Sequence, residues 1–336
     1  MSFDVGTLVD LVVARMKVDK TEPNPNNLRK GWRSDELLIG DIDTFAVGAK
    51  DYPGAYAEIG RRVLAEVGDM PEMAVLAKLA ILRGERLLLL TSDQVRIVCE
   101  LSEDLRAAIS ALPDGTRKKR CQELFLYNSG IFFDASGRFD EAAKTHEWAA
   151  READKGSSSA AISLYCAALS WLKYGLSVGK SGDELDALFS GLEERYRQLA
   201  EALRDSELYV QWVEGNCPMQ MVMVCVWLDR THSKWGEWVH MASLAPGKLG
   251  KAWETGVEFV RVANLVARDV DDDSEVEKAL RALAEHNAAN SETRATALLM
   301  LARRSTSLSE ARGFVDEMPV EGAQHVRAIA ERMLKD

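Results

Sequence analysis

The chain has 336 residues, of which 47% are hydrophobic and 28% charged, with only eight prolines. That is the composition of a soluble globular protein without a long disordered tract, and its length fits two average domains or one elongated repeat array. The formal net charge of −11 repels a phosphate backbone and argues against nucleic acid as a partner.

In chain order, the opening MSFDVGTLVDLVVARMK predicts a helix over 4–17. It carries Asp4 and Asp10 where a secretory leader needs a basic start and an unbroken apolar core, and no run approaches the roughly 18 apolar residues of a membrane span. The five cysteines, Cys99, Cys121, Cys166, Cys217 and Cys225, are odd in number and contain no CxxC pair, so a reducing, cytoplasmic setting is expected, with neither a disulfide framework nor a zinc ribbon. Residues 18–52 are rich in Pro, Asn and charge and read as a loop, with a short strand or helix at Glu36–Ile39.

From Pro53 onward apolar residues recur at three- and four-residue spacing, which predicts an all-α protein. The expected helices are 53–67, 71–89, 92–111, 117–135, 139–154, 158–177, 183–204, 206–214, 218–231, 234–243, 248–268, 275–287, 291–304, 308–316 and 321–334. Reciprocal capping patterns mark five starts: Asp69 to Glu72, Thr91 to Gln94, Ser181 to Glu184, Ser274 to Glu277 and Ser307 to Glu310. The basic run Arg117–Arg120 reads as a solvated helix start rather than an anion or RNA site. Met219–Leu228 is apolar on every side and fits a buried strand or a buried helix; Pro218, suited to a first helical position, favours the helix. Three regions result: 1–52, a helix plus irregular segment; 53–214, a hairpin region; and 215–336, a helical continuation.

Within Leu126–Glu152, Gly130 and Ala142 offer small residues where two helices cross. Gly137 breaks the first helix between Phe133 and Phe139, and Ala149 permits close approach of a following pair. With Leu126 and Ser129, these residues resemble the tetratricopeptide repeat family over about residues 123–156, most closely in the turn GRFDEA. Ser129, His146 and Asp154 depart from the family pattern. The resemblance implies antiparallel hairpins stacked as a right-handed solenoid, with degenerate neighbours on either side. An irregular all-helical domain with one such hairpin is the alternative.

The resemblance also implies that Leu124, Tyr127, Asn128, Ile131 and Asp134 line a concave face and bind a segment of a partner protein. Tyr127, Ile131 and Asp134 replace the positive charge of a carboxylate clamp, so an apolar or basic segment fits better. The competing expectation is that these side chains pack on neighbouring helices. Five of the eight tryptophans fall between Trp212 and Trp253, and the polar flanks of Trp235 and Trp238 in HSKWGEWVH mark that pair as a second interaction surface.

Cys217, Cys225, His232 and His240 recur every seven or eight residues, which on one helix is about 10–12 Å, too far for one ion. The acidic run Asp269–Glu277 lacks the glycine and the final glutamate of a calcium loop. No nucleophile elbow or phosphate-binding glycine loop is present. The sequence thus points to a protein-interaction adaptor or regulatory subunit without cofactor or metal. A sensor of a small peptide or signalling molecule is the first alternative, and an enzyme on a helical scaffold the second, with no catalytic residues legible; an activity lost on changing His146 or Asp134 would point to it.

Overall fold

The computed structural model describes residues 52–67, 71–85, 92–206, 208–249, 254–268, 273–286 and 290–335. The expected helix at 4–17, the segment Glu36–Ile39 and the capping residues Asp69 and Thr91 lie outside them. The described residues are helical and contain no strand. No described helix is long and apolar enough to cross a membrane. The chain divides into two compact units, residues 1–132 and 133–336.

In the first unit, α1 (Tyr52–Val67) packs on α2 (Pro71–Glu85), and α2 packs on α3 (Ser92–Ser110). The α1–α2 crossing is close because residue 60 is glycine: a Cβ there would meet Ile81 Cγ1 at 2.7 Å and Ala77 O at 2.9 Å. Leu76, Leu79, Leu82, Val98 and Leu105 fill the core. Lys78 ties α2 to α3 through Asp104 at 2.5 Å. Where α3 hands over to α4 (Thr116–Ala135), Lys118 donates to the Ser110 carbonyl at 2.9 Å, supplying a cation to helix carbonyls that have no intrahelical partner.

In the second unit, α4 stops in a Schellman turn. Arg138 N–H reaches Phe133 O, Gly137 N–H reaches Asp134 O, and Gly137 takes φ +78°, the left-handed conformation glycine adopts without penalty. Then α5 (Phe139–Glu152) and α6 (Ser158–Ser177) form a hairpin, with Phe139, Ala142, His146 and Ala149 buried, and α7 (Asp183–Leu203) packs on α6. Ser157 caps α6 by accepting Ala160 N–H at 3.2 Å. The Ser181 cap expected for α7 is not made: Gly182, at φ +53°, takes the cap position instead.

The break expected near residue 215 is also absent. A π-helical segment π1 (Val210–Asn216) runs directly into α8 (Cys217–Trp227), since Asn216 keeps helical dihedrals. Wide winding loosens the backbone ladder, and Tyr196 Oη donates to Val213 O at 2.8 Å within it. Met219–Leu228 is therefore helical up to Trp227, and its Met221–Cys225 stretch is buried.

After α8 come α9 (Trp235–Leu249), α10 (Glu254–Ala267), α11 (Asp273–Glu285), α12 (Ser291–Arg304), α13 (Leu308–Asp316) and α14 (Gln324–Met333). Asn290 and Ser307 cap α12 and α13, each accepting an amide three residues on. Consecutive helices pack on one another, but α12 also contacts α8, and α14 returns to α6. A linear array makes only neighbour contacts. Here the last helix closes onto one formed about 150 residues earlier.

Candidate functional site

Helix α6 carries two distinct environments. On one face, Ser170 and Lys173 point into a buried ionic centre. Lys173 Nζ is 2.6 Å from Asp134 Oδ2 and 2.7 Å from Glu292 Oε1, and Ser170 Oγ donates to Asp134 Oδ1 at 2.8 Å. His325 of α14 is fully buried, with Nε2 3.2 Å from Glu292 Oε1 and its ring edge-on to Phe139 and Trp227. Trp227 donates to Thr296 Oγ1 at 3.0 Å, and Thr296 donates to Glu292 O at 2.7 Å. One cation, two carboxylates and an imidazole thereby join α4, α6, α12 and α14.

The charges are mutually stabilised. Burial would lower the Lys173 pKa, but Asp134 and Glu292 outweigh it and hold the ammonium above the ordinary lysine value. Burial would raise Glu292, yet Lys173 and His325 hold it well below the usual carboxylate range. His325 is pushed below the ordinary histidine value by burial, only partly offset by Glu292.

The sign of the pH dependence follows. The unfolded chain takes up the His325 proton first as pH falls through about 6.5, and the Glu292 proton first near 4.3. Both contributions are complete above those values and are lost below them. The Lys173 contribution is present below about 10.4 and is lost as pH rises through its elevated folded value. Urea midpoints should therefore be highest near pH 7 to 8 and fall progressively from 6.5 downward; above about 8.5 they should fall as well, because burial keeps the Cys217 and Cys225 thiols protonated in the folded chain while they ionise in the unfolded one. His325→Phe should flatten the decline between about pH 6.5 and 5; a midpoint that rises on acidification contradicts the assignment.

The other environment is open. Leu164, Ala167, Ala168 and Trp171, on one stripe of α6, face Ala187, Leu188, Gly191 and Arg195 of α7 across a groove of about 210 Å³. Glu147 closes one side and accepts the Trp171 indole N–H at 2.8 Å. Four of the lining positions are Ala or Gly, so the floor is wide and shallow, with Arg195 and Glu147 at its edges. Trp148 of α5, 40% exposed, donates to Glu152 at 3.0 Å.

The sequence-selected residues are distributed differently from expectation. Leu124, Tyr127 and Ile131 are half-buried, while Asn128 is buried and donates to Leu124 O at 2.7 Å. Asp134 spends both carboxylate oxygens on Ser170 and Lys173 and so belongs to the buried centre. Trp238, expected at the surface, is buried and stacked on His232 at 4.9 Å. Its polar neighbours Lys234 and Glu237 face outward while the indole turns in. Trp235 is half-buried and donates to Asn264 Oδ1 at 3.2 Å.

Lys173, Glu292 and His325 were not singled out by sequence. The one available signal was a lone lysine in the apolar helix SSAAISLYCAALSWLKYGLS. No group of three or more His, Cys, Asp or Glu among the described residues is placed to hold a metal ion. Burial raises the Cys225 thiol to about 12, offset in part by Arg230, so it is protonated at neutral pH. Comparison with protein-family models, curated proteins and solved structures finds no match.

Proposed function

We propose that the chain is a protein-interaction adaptor or regulatory subunit whose α5–α7 hairpins, similar to tetratricopeptide repeats, receive an apolar anchor from a helix of another protein. The observation that carries this reading is Gly191. It lies inside the 21-residue helix α7, and a Cβ there would meet nothing within 4 Å. Glycine inside a helix costs about 0.5–1 kcal/mol relative to alanine. Packing within the chain does not require that cost. Gly236 and Gly313 stand in equally open helical positions, but Gly191 lines the α6–α7 groove, where close approach by a partner would use it.

The groove volume supports an anchor of one or two large side chains, since it lies below the roughly 300 Å³ at which small-molecule sites begin. Helix-in-groove docking of this kind draws on apolar burial at the centre and charge matching at the rim, here Arg195 and Glu147. The partner surface is thereby moved from the α4 positions expected from sequence to the α6–α7 face.

Three substitutions test this. Gly191→Ala should raise the unfolding free energy by about 0.5–1 kcal/mol in urea titrations. Gly191→Trp should fill the groove and abolish stoichiometric capture of a protein partner from native lysate. Gly313→Trp, at another helical glycine with nothing within 4 Å of its Cβ, should leave capture intact. Equal capture by both tryptophan variants would overturn the reading.

A further inference from the structure

The two edges of the α6–α7 groove carry opposite charges. Helix α6 packs on α5 and on α7 and lies between them, so Glu147 of α5 and Arg195 of α7 stand on opposite sides of its apolar stripe. Neither has an ion-pair partner among the described residues. Glu147 accepts the Trp171 indole N–H at 2.8 Å instead of pairing with Arg151, one turn further along α5. Arg195 donates from Nη1 to the neutral Gln198 Oε1 at 2.6 Å. Other charges on the same helices are matched within the chain: Lys144 pairs with Asp140 on α5, and Arg197 with Glu194 and Glu201 on α7.

Both groups keep capacity for a further contact. A carboxylate accepts several hydrogen bonds and a guanidinium donates several, whereas Glu147 and Arg195 each make a single side-chain bond. Both are half-buried at the groove edge. A partner that covers the groove strips water from both, so it must bring an opposite charge to each.

Resting on the apolar-anchor reading above, we propose that the groove selects a partner helix with a basic side chain on one flank of its anchor and an acidic side chain on the other. The basic group meets Glu147 and the acidic group meets Arg195. Such a helix fits in one direction. Turning it end for end keeps the anchor on the floor but exchanges the flanks, which brings like charges together. Apolar contact with Ala167, Ala168 and Gly191 is non-directional, so Glu147 and Arg195 set the orientation of the partner and reject helices with like charges on both flanks.

The probes are labelled alanine-based helical peptides with a central leucine anchor, titrated against the full chain by fluorescence anisotropy. Their flanks carry lysine opposite glutamate, lysine on both sides, glutamate on both, or glutamine on both. At about 0.15 M salt the field of the net charge is screened beyond roughly 8 Å, while contacts at the groove persist. On the wild type the mixed peptide should bind about three- to tenfold more tightly than the glutamine peptide, and more tightly than either like-charged one. Arg195→Glu makes both edges acidic, so the all-lysine peptide should become the tightest binder. Glu147→Gln keeps an acceptor for Trp171 and should bring the all-glutamate peptide level with the mixed one. Circular dichroism and cooperative urea unfolding check that each variant is folded, and Gly191→Trp should abolish binding of all four peptides. The same order of affinities on wild type, Arg195→Glu and Glu147→Gln, with binding lost in Gly191→Trp, would overturn the charge rule and leave the anchor reading standing. Binding of no peptide, or binding that survives Gly191→Trp, would overturn both.

Discussion

Lys173→Met should lower the unfolding free energy by about 3–5 kcal/mol, because removing one partner from a buried ion cluster strands the others. Methionine matches the length and volume of the lysine stem, so packing against Phe139 and Trp227, whose ring centroids lie 5.9 Å from Nζ, is largely kept. What is lost is the cation that lies between Asp134 and Glu292, at 2.6 and 2.7 Å. The two carboxylates must then take up protons or drag water into the core. Urea denaturation at pH 7 reads the loss. Adding Asp134→Asn and Glu292→Gln to Lys173→Met removes the stranded charges and should recover most of it, since neutral isosteres avoid the desolvation penalty of unpaired ions. A single variant as stable as wild type, or a triple variant no better than the single, would show that the centre is not held by charge.

That centre was the least legible part of the sequence, for a topological reason. Asp134, Lys173, Glu292 and His325 span most of the second unit, and only the return of α14 onto α6 brings them together. Periodicity and capping chemistry are local and read well: α6, α12 and α13 begin and end where apolar spacing places them, and Ser307 caps α13 as its sequence pattern requires. Local signals misled where burial competed with them. Gly215 and Asn216 resemble a stop, yet the flanking Trp212, Val213, Cys217 and Met221 are buried, so the backbone continues through π1 instead of breaking. The polar neighbours of Trp238 along the chain point to the surface, whereas a helix sorts residues by angle and turns this indole inward. The hairpin at Gly137 was legible because a left-handed turn leaves a direct mark in residue type. The α6–α7 groove was not, because small residues on two helices form a groove only once the helices are packed.

Gly322→Ala should cost about 2–4 kcal/mol, well beyond the roughly 1 kcal/mol of placing alanine in a left-handed conformation. At φ +78°, a Cβ on residue 322 would stand 2.6 Å from Ala135 O and 3.4 Å from Ser291 Cβ. The first contact is with backbone, which cannot step aside as a side-chain tip can. Next to it, Gln324 donates to Ser136 O at 3.1 Å, and a Cβ on Gly137 would stand 1.9 Å from the Gln324 side chain. At the far end of α14, Arg332 donates to Leu176 O at 2.7 Å. Carbonyls at the ends of α4 and α6 thus hold the last helix at both of its ends, and His325 and Val326 are buried between them. Gly156→Ala is the matched control: φ there is +77°, and its Cβ would meet nothing within 4 Å. Any cost of Gly322→Ala in excess of Gly156→Ala isolates the close approach, and hydrogen exchange should show the added opening concentrated in α14. Equal costs for the two variants would mean that α14 does not need that contact. The closure of the last helix onto α6, which sets this fold apart from an open row of hairpins, would then rest on the ionic centre and on the Gln324 and Arg332 hydrogen bonds.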